Sequence, residues 1–175
     1  MERILFKLIV NNLELRSRLI LRDSFSFQNG INWVVGPMES GKTTLLDILA
    51  WAEHYKNQGS INTNLSLPKS KVIRIDFDMF LVSDEHIDSN FKSIQKSAGR
   101  NLAKRKCLQL LCNILGASTV YKLVLIDNFP EYILDNFLEE VESELKKLND
   151  GYTVLFTTLK SRKYSVGQEV VLGER

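Results

Sequence analysis

A chain of 175 residues has room for one domain with a sizeable core, and its 44% hydrophobic and 25% charged residues are ordinary values for a globular protein. A formal net charge of +2 is too small to argue for nucleic-acid binding. No apolar run approaches the roughly 20 residues that a membrane helix needs, and Glu2, Arg3 and Lys7 without a small-residue cleavage site do not make a signal peptide.

Taken in chain order, residues 4–10 and 18–21 read as strands of a side sheet that ends at Phe25 and Phe27. Residues 31–35 are the first buried strand, an apolar run. A helix is predicted over residues 43–55, with Leu45, Leu46, Ile48, Leu49, Ala52 and Tyr55 on one broad face. Residues 56–70, rich in Asn, Ser and Gly, read as a loop or short hairpin. A second buried strand follows at 72–77, then a helix over 101–115, a third strand at 120–126 and a helix over 132–148. Asn149-Asp150-Gly151 stops that helix, a fourth strand spans 153–157, and a short last strand spans 169–172. Trp33 and Trp51 fall on apolar faces and are expected in the core. Cys107 and Cys112 share one predicted helix, about 7.5 Å apart along its axis and pointing in different directions, so they are not expected to bridge. A reducing, cytoplasmic (or nuclear) setting is the expectation.

Strands alternating with helices imply a single α/β domain over 1–175, with a mainly parallel sheet covered by helices and a small N-terminal antiparallel part. Such sheets bind ligands beyond the carboxyl ends of their strands. One end carries Gly36-Pro37-Met38-Glu39-Ser40-Gly41-Lys42-Thr43, which fits G-x-x-x-x-G-K-[ST] at every fixed position and lies between a strand and a helix. Glycines let backbone N–H groups turn toward phosphate oxygens, and the helix that follows points its positive end at the same place. Lys42 is placed for the β- and γ-phosphates of ATP, Thr43 for Mg²⁺, and Thr44 is counted with residues 36–43 among those expected to bind the nucleotide. A second strand end carries Leu123-Val124-Leu125-Ile126-Asp127, and in P-loop NTPases an Asp there holds Mg²⁺ directly or through water.

With these motifs in place the chain resembles an ABC-type ATPase along nearly its whole length. Leu21-Arg22-Asp23-Ser24-Phe25 leading into Gly30-Ile31-Asn32 is similar to the family's run-in, and Leu134-Asp135 stands at the place of its D-loop. Gly30-Ile31-Asn32 and Leu46-Asp47 are closest in flavour to the SMC and RecF-like DNA-maintenance branch. The family's signature loop maps best onto Lys96-Ser97-Ala98-Gly99-Arg100, which keeps a serine and one glycine. The resemblance implies that Ser97 and Gly99 face the γ-phosphate held by a second subunit in a homodimer, or in a heterodimer with a related subunit. A plain helix N-cap at Ser97 or Asn101 is the other reading of the same residues.

The departures from the family bear on chemistry. Where it places a glutamate after the strand-end aspartate to polarise the attacking water, this chain has Asn128, which cannot take a proton at neutral pH. Its switch histidine maps onto Thr158, and Asp76 and Asp78 stand where a glutamine is usual. No aromatic residue stands where one stacks on adenine, which leaves Arg16 or Arg18 as candidates. Glu131 has two readings, a substitute base or a solvated acid at a helix N-terminus.

Charge is uneven: residues 89–106 carry Lys92, Lys96, Arg100, Lys104, Arg105 and Lys106 and no acid, while residues 127–144 carry only acids. These are two solvated helix faces, or the basic stretch meets DNA or an acidic protein. The expectation is an ATP- and Mg²⁺-binding domain that assembles around nucleotide and hydrolyses it slowly or not at all. The alternatives are a small P-loop kinase acting on a metabolite and the ATPase subunit of a transporter.

Overall fold

The computed structural model describes residues 4–10, 14–15, 19–20, 23–57, 61–63, 71–77, 108–109, 111, 123–147 and 153–173. Five parallel strands form its main sheet, which runs from one edge to the other through residues 168–171, 30–35, 153–158, 123–127 and 72–76. These are β5 (Gly30–Val35), β7 (Val72–Asp76), β8 (Leu123–Asp127), β9 (Thr153–Thr158) and β10 (Gln168–Val171). A second, antiparallel sheet is formed by β4 (Asp23–Gln28), β1 (Ile4–Val10) and β6 (Ile61–Thr63), of which β6 falls between β5 and β7 in sequence. A two-residue pair, β2 (Glu14–Leu15) with β3 (Leu19–Ile20), completes the strands among the described residues. The expected small antiparallel part and mainly parallel sheet are both present.

Two apolar layers form because strand side chains alternate in direction. On β8, Leu123 and Leu125 face one layer and Val124 and Ile126 the other. Leu155 on β9 and Val34 on β5 join the first, while Val154, Phe156, Ile31, Trp33 and Val35 join the second. Helix α1 (Lys42–Ala50) closes the first layer with Leu45, Leu46, Ile48 and Leu49, together with Phe25, Phe27 and Ile61 from the antiparallel sheet. Helix α3 (Glu131–Leu145) closes the second with Ile133, Leu134, Val141 and Leu145. Burial on both faces explains the near-continuous apolar run of β8, where alternation would mark a half-exposed strand. Burying each such side chain contributes roughly 1.5–3 kcal/mol before the entropy cost of ordering it.

The long helix expected over 43–55 is two helices. Trp51 leaves helical geometry at φ −119°, and α2 (Ala52–Asn57) follows it. The break turns Trp51 outward, 51% exposed, so the expectation that it sits in the core is corrected. Trp33 is fully buried as expected, with its indole N–H donating to Val166 O at 2.8 Å and its ring stacked on Tyr164 at 4.2 Å. Helix α3 begins one residue earlier than expected and carries a non-helical residue, Phe137. The cysteines, the stretch 89–106 and most of the helix expected over 101–115 lie outside the described residues.

Asn32 shows how the run-in to the phosphate loop is held. It is fully buried in β5 yet satisfied. Its Oδ1 accepts from Gln28 N–H at 3.0 Å and Gln168 Nε2 at 2.6 Å, and its Nδ2 donates to Gln28 O at 3.0 Å. The amide therefore closes the tight β4–β5 turn, where Gly30 has φ 93°, and ties in β10. Among the described residues no helix is long and apolar enough to cross a membrane.

Candidate functional site

Beyond Val35 the chain turns through residues 36–41 and enters α1 at Lys42. The turn needs its glycines. A Cβ on Gly36 would stand 2.5 Å from Ser40 Oγ and 2.7 Å from the Leu172 carbonyl oxygen. Gly41 adopts φ 92° as the residue before α1. Glu39 also lies in the left-handed region, at φ 62°. Gly36 N–H donates to Thr158 O at 3.2 Å, which fastens the loop to the end of β9. Helix α1 starts with no side-chain cap and no acid in its first turn. Its positive end is thus left for an external anion to compensate.

Lys42 folds back over this loop. Its Nζ donates to Gly36 O and Pro37 O, both at 2.6 Å, and lies 3.4 Å from Ser40 Oγ. Burial pushes its pKa below the usual lysine value, and the carboxylates of Asp127 and Glu131 oppose that shift. Pro37, Met38, Glu39 and Thr43 are exposed, and Ser40 and Thr44 half-buried.

The opposite wall comes from the ends of β8 and β9 and the start of α3. Asp127 is buried. Its Oδ1 accepts from Thr157 Oγ1 at 2.7 Å and from Asn128 N–H at 3.1 Å, and its Oδ2 accepts from Arg74 Nη2 at 3.1 Å. Asn128 has φ 54°, a conformation that Asn tolerates better than most residues. Its Nδ2 donates to Asp76 Oδ1 at 3.0 Å.

Glu131 does open a helix, but it is not left in solvent. Its Oε1 accepts from Leu159 N–H at 2.6 Å, and its Oε2 accepts from Arg162 Nη2 at 2.5 Å and Thr158 Oγ1 at 3.1 Å. Arg162 also reaches Asp135 Oδ1 at 2.7 Å, and Lys160 lies 2.9 Å from the same oxygen. Hydrogen bonds from Lys160 and Arg162 hold the Asp135 carboxyl below its ordinary range.

A cleft of about 790 Å³ runs between the walls, lined by residues 38–44, 128–131 and 157–159. It brings the phosphate loop together with Asn128, Glu131 and Thr158. Asp127 does not line it, but bonds to Asn128 and Thr157, which do. Ser97, Gly99, Asp78, Arg16 and Arg18 lie outside the described residues. Two arginines were missed in the sequence. Arg74 left a faint signal, a charge inside the apolar run Val72-Ile73-Arg74-Ile75. Arg162 left none, because its partner Glu131 is 31 residues away.

For nucleotide phosphates the residues fit, with an uncapped helix start, glycine-built turns and a lysine bound only to neutral acceptors in the loop. For Mg²⁺ the donor types fit, a hydroxyl at Thr43 and a carboxylate at Asp127, but Oδ2 of that carboxylate already faces a guanidinium. Among the described residues no group of three or more His, Cys, Asp or Glu is arranged to hold a metal. An ion here would therefore need the nucleotide's own oxygens.

The strand order, the loop between β5 and α1 and the acid at the end of β8 define a P-loop nucleotide-binding domain. The chain belongs to the AAA domain family, whose model matches residues 18–165. Its fold is similar to that of a Pyrococcus furiosus chain named as an ABC transporter ATP-binding protein. That likeness covers 95% of this chain and 97% of the other, with a TM-score of 0.50 and 14% identity, and concerns the fold alone. No curated protein matches the sequence.

Proposed function

We propose that this domain binds Mg²⁺-ATP, that ATP draws it into a head-to-tail pair with a second copy or a related subunit, and that it hydrolyses ATP slowly or not at all. The observation that carries the reading is the pairing of a complete phosphate loop with a cleft wall that presents Asn128 where a water-polarising carboxylate belongs. Binding and catalysis are thereby separated. The loop, Lys42 and the start of α1 would grip the phosphates, with Thr43 and Asp127 as the residues that would hold the ion. The ion would supply charge neutralisation on the phosphates. Asn128 orients a water only weakly, and Glu131 is committed to Arg162, Thr158 and Leu159.

A nucleotide that binds one assembly state more tightly than another shifts the equilibrium by that difference in affinity. Ser97 and Gly99 would supply the contact to the partner's γ-phosphate. Gly30-Ile31-Asn32, Leu46-Asp47 and the basic stretch at 96–106 support placing the domain in DNA maintenance. Light-scattering mass measurement with Mg²⁺-ATP, with ADP and without nucleotide tests the assembly. The expected result is a pair with ATP and a monomer otherwise, with Ser97→Arg blocking the pair while leaving nucleotide affinity intact. Equal masses in all three conditions would sink ATP-driven assembly.

A further inference from the structure

Among the described residues, Arg74 stands beside the phosphate site and is used by neither the loop motif nor the proposed function. It comes from the middle of β7, half-buried, and reaches two carboxylates on different elements. Its Nη2 lies 3.1 Å from Asp127 Oδ2 at the end of β8. Its Nε lies 2.8 Å from Asp47 Oδ1 on α1, but the N–H does not point at that oxygen, so the second contact is ionic rather than hydrogen-bonded. Asp47 is four residues after Thr43, on the same face of α1. The guanidinium therefore lies between the two elements that carry the candidate ion ligands.

Asp127 Oδ1 already takes two hydrogen bonds and Oδ2 takes the guanidinium. A carboxylate has about four lone-pair sites, so little capacity remains for a divalent ion or its water. In the absence of an ion, the same guanidinium neutralises a buried carboxylate that would otherwise repel the phosphates. We infer that Arg74 is a resident cation at Asp127 that competes with Mg²⁺ there, so that ATP binding by this domain depends only weakly on the divalent ion. Arg74 is a positioning residue in this role, since it acts through Asp127. Asp47 sets how firmly it is held, because it draws the same guanidinium toward α1. The inference rests on the proposed binding of ATP at this loop.

The test is the ratio of ATP dissociation constants in EDTA and in Mg²⁺, read with a fluorescent ATP analogue. Arg74→Gln frees Asp127 for the ion and exposes its charge when the ion is absent, so the ratio is expected to rise about tenfold or more. Asp47→Asn leaves the guanidinium wholly to Asp127 and is expected to lower the ratio. Arg74→Lys keeps a cation and is expected to stay within about threefold of the wild type. In an Asp127→Asn background, Arg74→Gln is expected to leave the ratio unchanged. A purely structural Arg74 would alter the melting temperature without moving the ratio. An unchanged ratio in Arg74→Gln, or a shift in the same direction in Asp47→Asn, overturns the inference. If Arg74→Gln does not fold, the Asp47→Asn and Arg74→Lys arms decide it by the same signs. Failure of the wild type to bind the analogue at all would instead overturn the proposed nucleotide site.

Discussion

Arg162 Nη2 lies 2.5 Å from Glu131 Oε2, which joins the loop after β9 to the first turn of α3 across 31 residues of sequence. The guanidinium is shared with Asp135, one turn further along the same helix. Because the Arg162 side chain is only 8% exposed while both acids are partly in water, its removal strands charge without fully burying it. Arg162→Met is expected to cost about 1–2 kcal/mol, a value between those of surface and buried pairs, measured by urea unfolding. No change in midpoint would show that the network is incidental to stability.

The Asp135 carboxyl is held down by Lys160 and Arg162, so its pairing stabilises the fold where it is ionised in both states. A depressed folded-state pKa contributes stability above the unfolded value, near 3.8, and that contribution is lost as pH falls through the folded one. Asp135→Asn is expected to cost less than about 1 kcal/mol at neutral pH, given its exposure to solvent screening, and nothing measurable at about pH 2. A penalty that persists in acid would point to packing rather than charge.

Lys42 is expected to dominate nucleotide affinity. Lys42→Ala removes a charge-assisted contact to phosphate of about 1.5–3 kcal/mol, or roughly 10- to 150-fold in affinity. Bound phosphate favours the ammonium form, whereas burial favours the neutral amine in the free protein. As pH rises toward that lowered pKa, binding must take up a proton, so affinity falls on the alkaline side before the ordinary lysine value of 10.5 is reached. Calorimetric titrations from neutral to alkaline pH would show the decline in the wild type and its absence in Lys42→Ala. A flat wild-type profile would mean that Lys42 is not the titrating group.

Hydrolysis by the isolated domain is expected to be slow, and Asn128→Glu to raise it. A well-placed general base contributes about 10²- to 10⁴-fold. The gain will be smaller if the left-handed backbone at Asn128 resists glutamate, a cost of about 1–2 kcal/mol. Thr158→His in the same background is expected to add to the gain by placing an imidazole on the same cleft wall. Glu131→Gln is expected to leave the slow rate nearly unchanged, because the carboxylate is committed to Arg162. Brisk wild-type phosphate release that collapses in Glu131→Gln would assign the base to Glu131.

Sequence alone determined what depends on local pattern. The apolar runs at 31–35 and 153–157 match β5 and β9 because strands buried on both faces need little else to declare themselves. The phosphate loop was legible because its chemistry resides in backbone and spacing, which Gly36, Gly41 and Lys42 encode within eight residues. Asn32 was visible as part of a motif, but its work as a buried amide closing the β4–β5 turn was not, since Gln168 joins it from 136 residues away. The outward turn of Trp51 was also hidden, because one residue at φ −119° rotates the helix face that periodicity assumes continuous. Only the tertiary structure decided which charges meet. Arg74 with Asp127 and Arg162 with Glu131 are pairs made by parallel strands and a crossing loop, and no spacing rule reaches across 53 or 31 residues. Their energies depend on burial and direction, which are properties of the packed chain and not of its order.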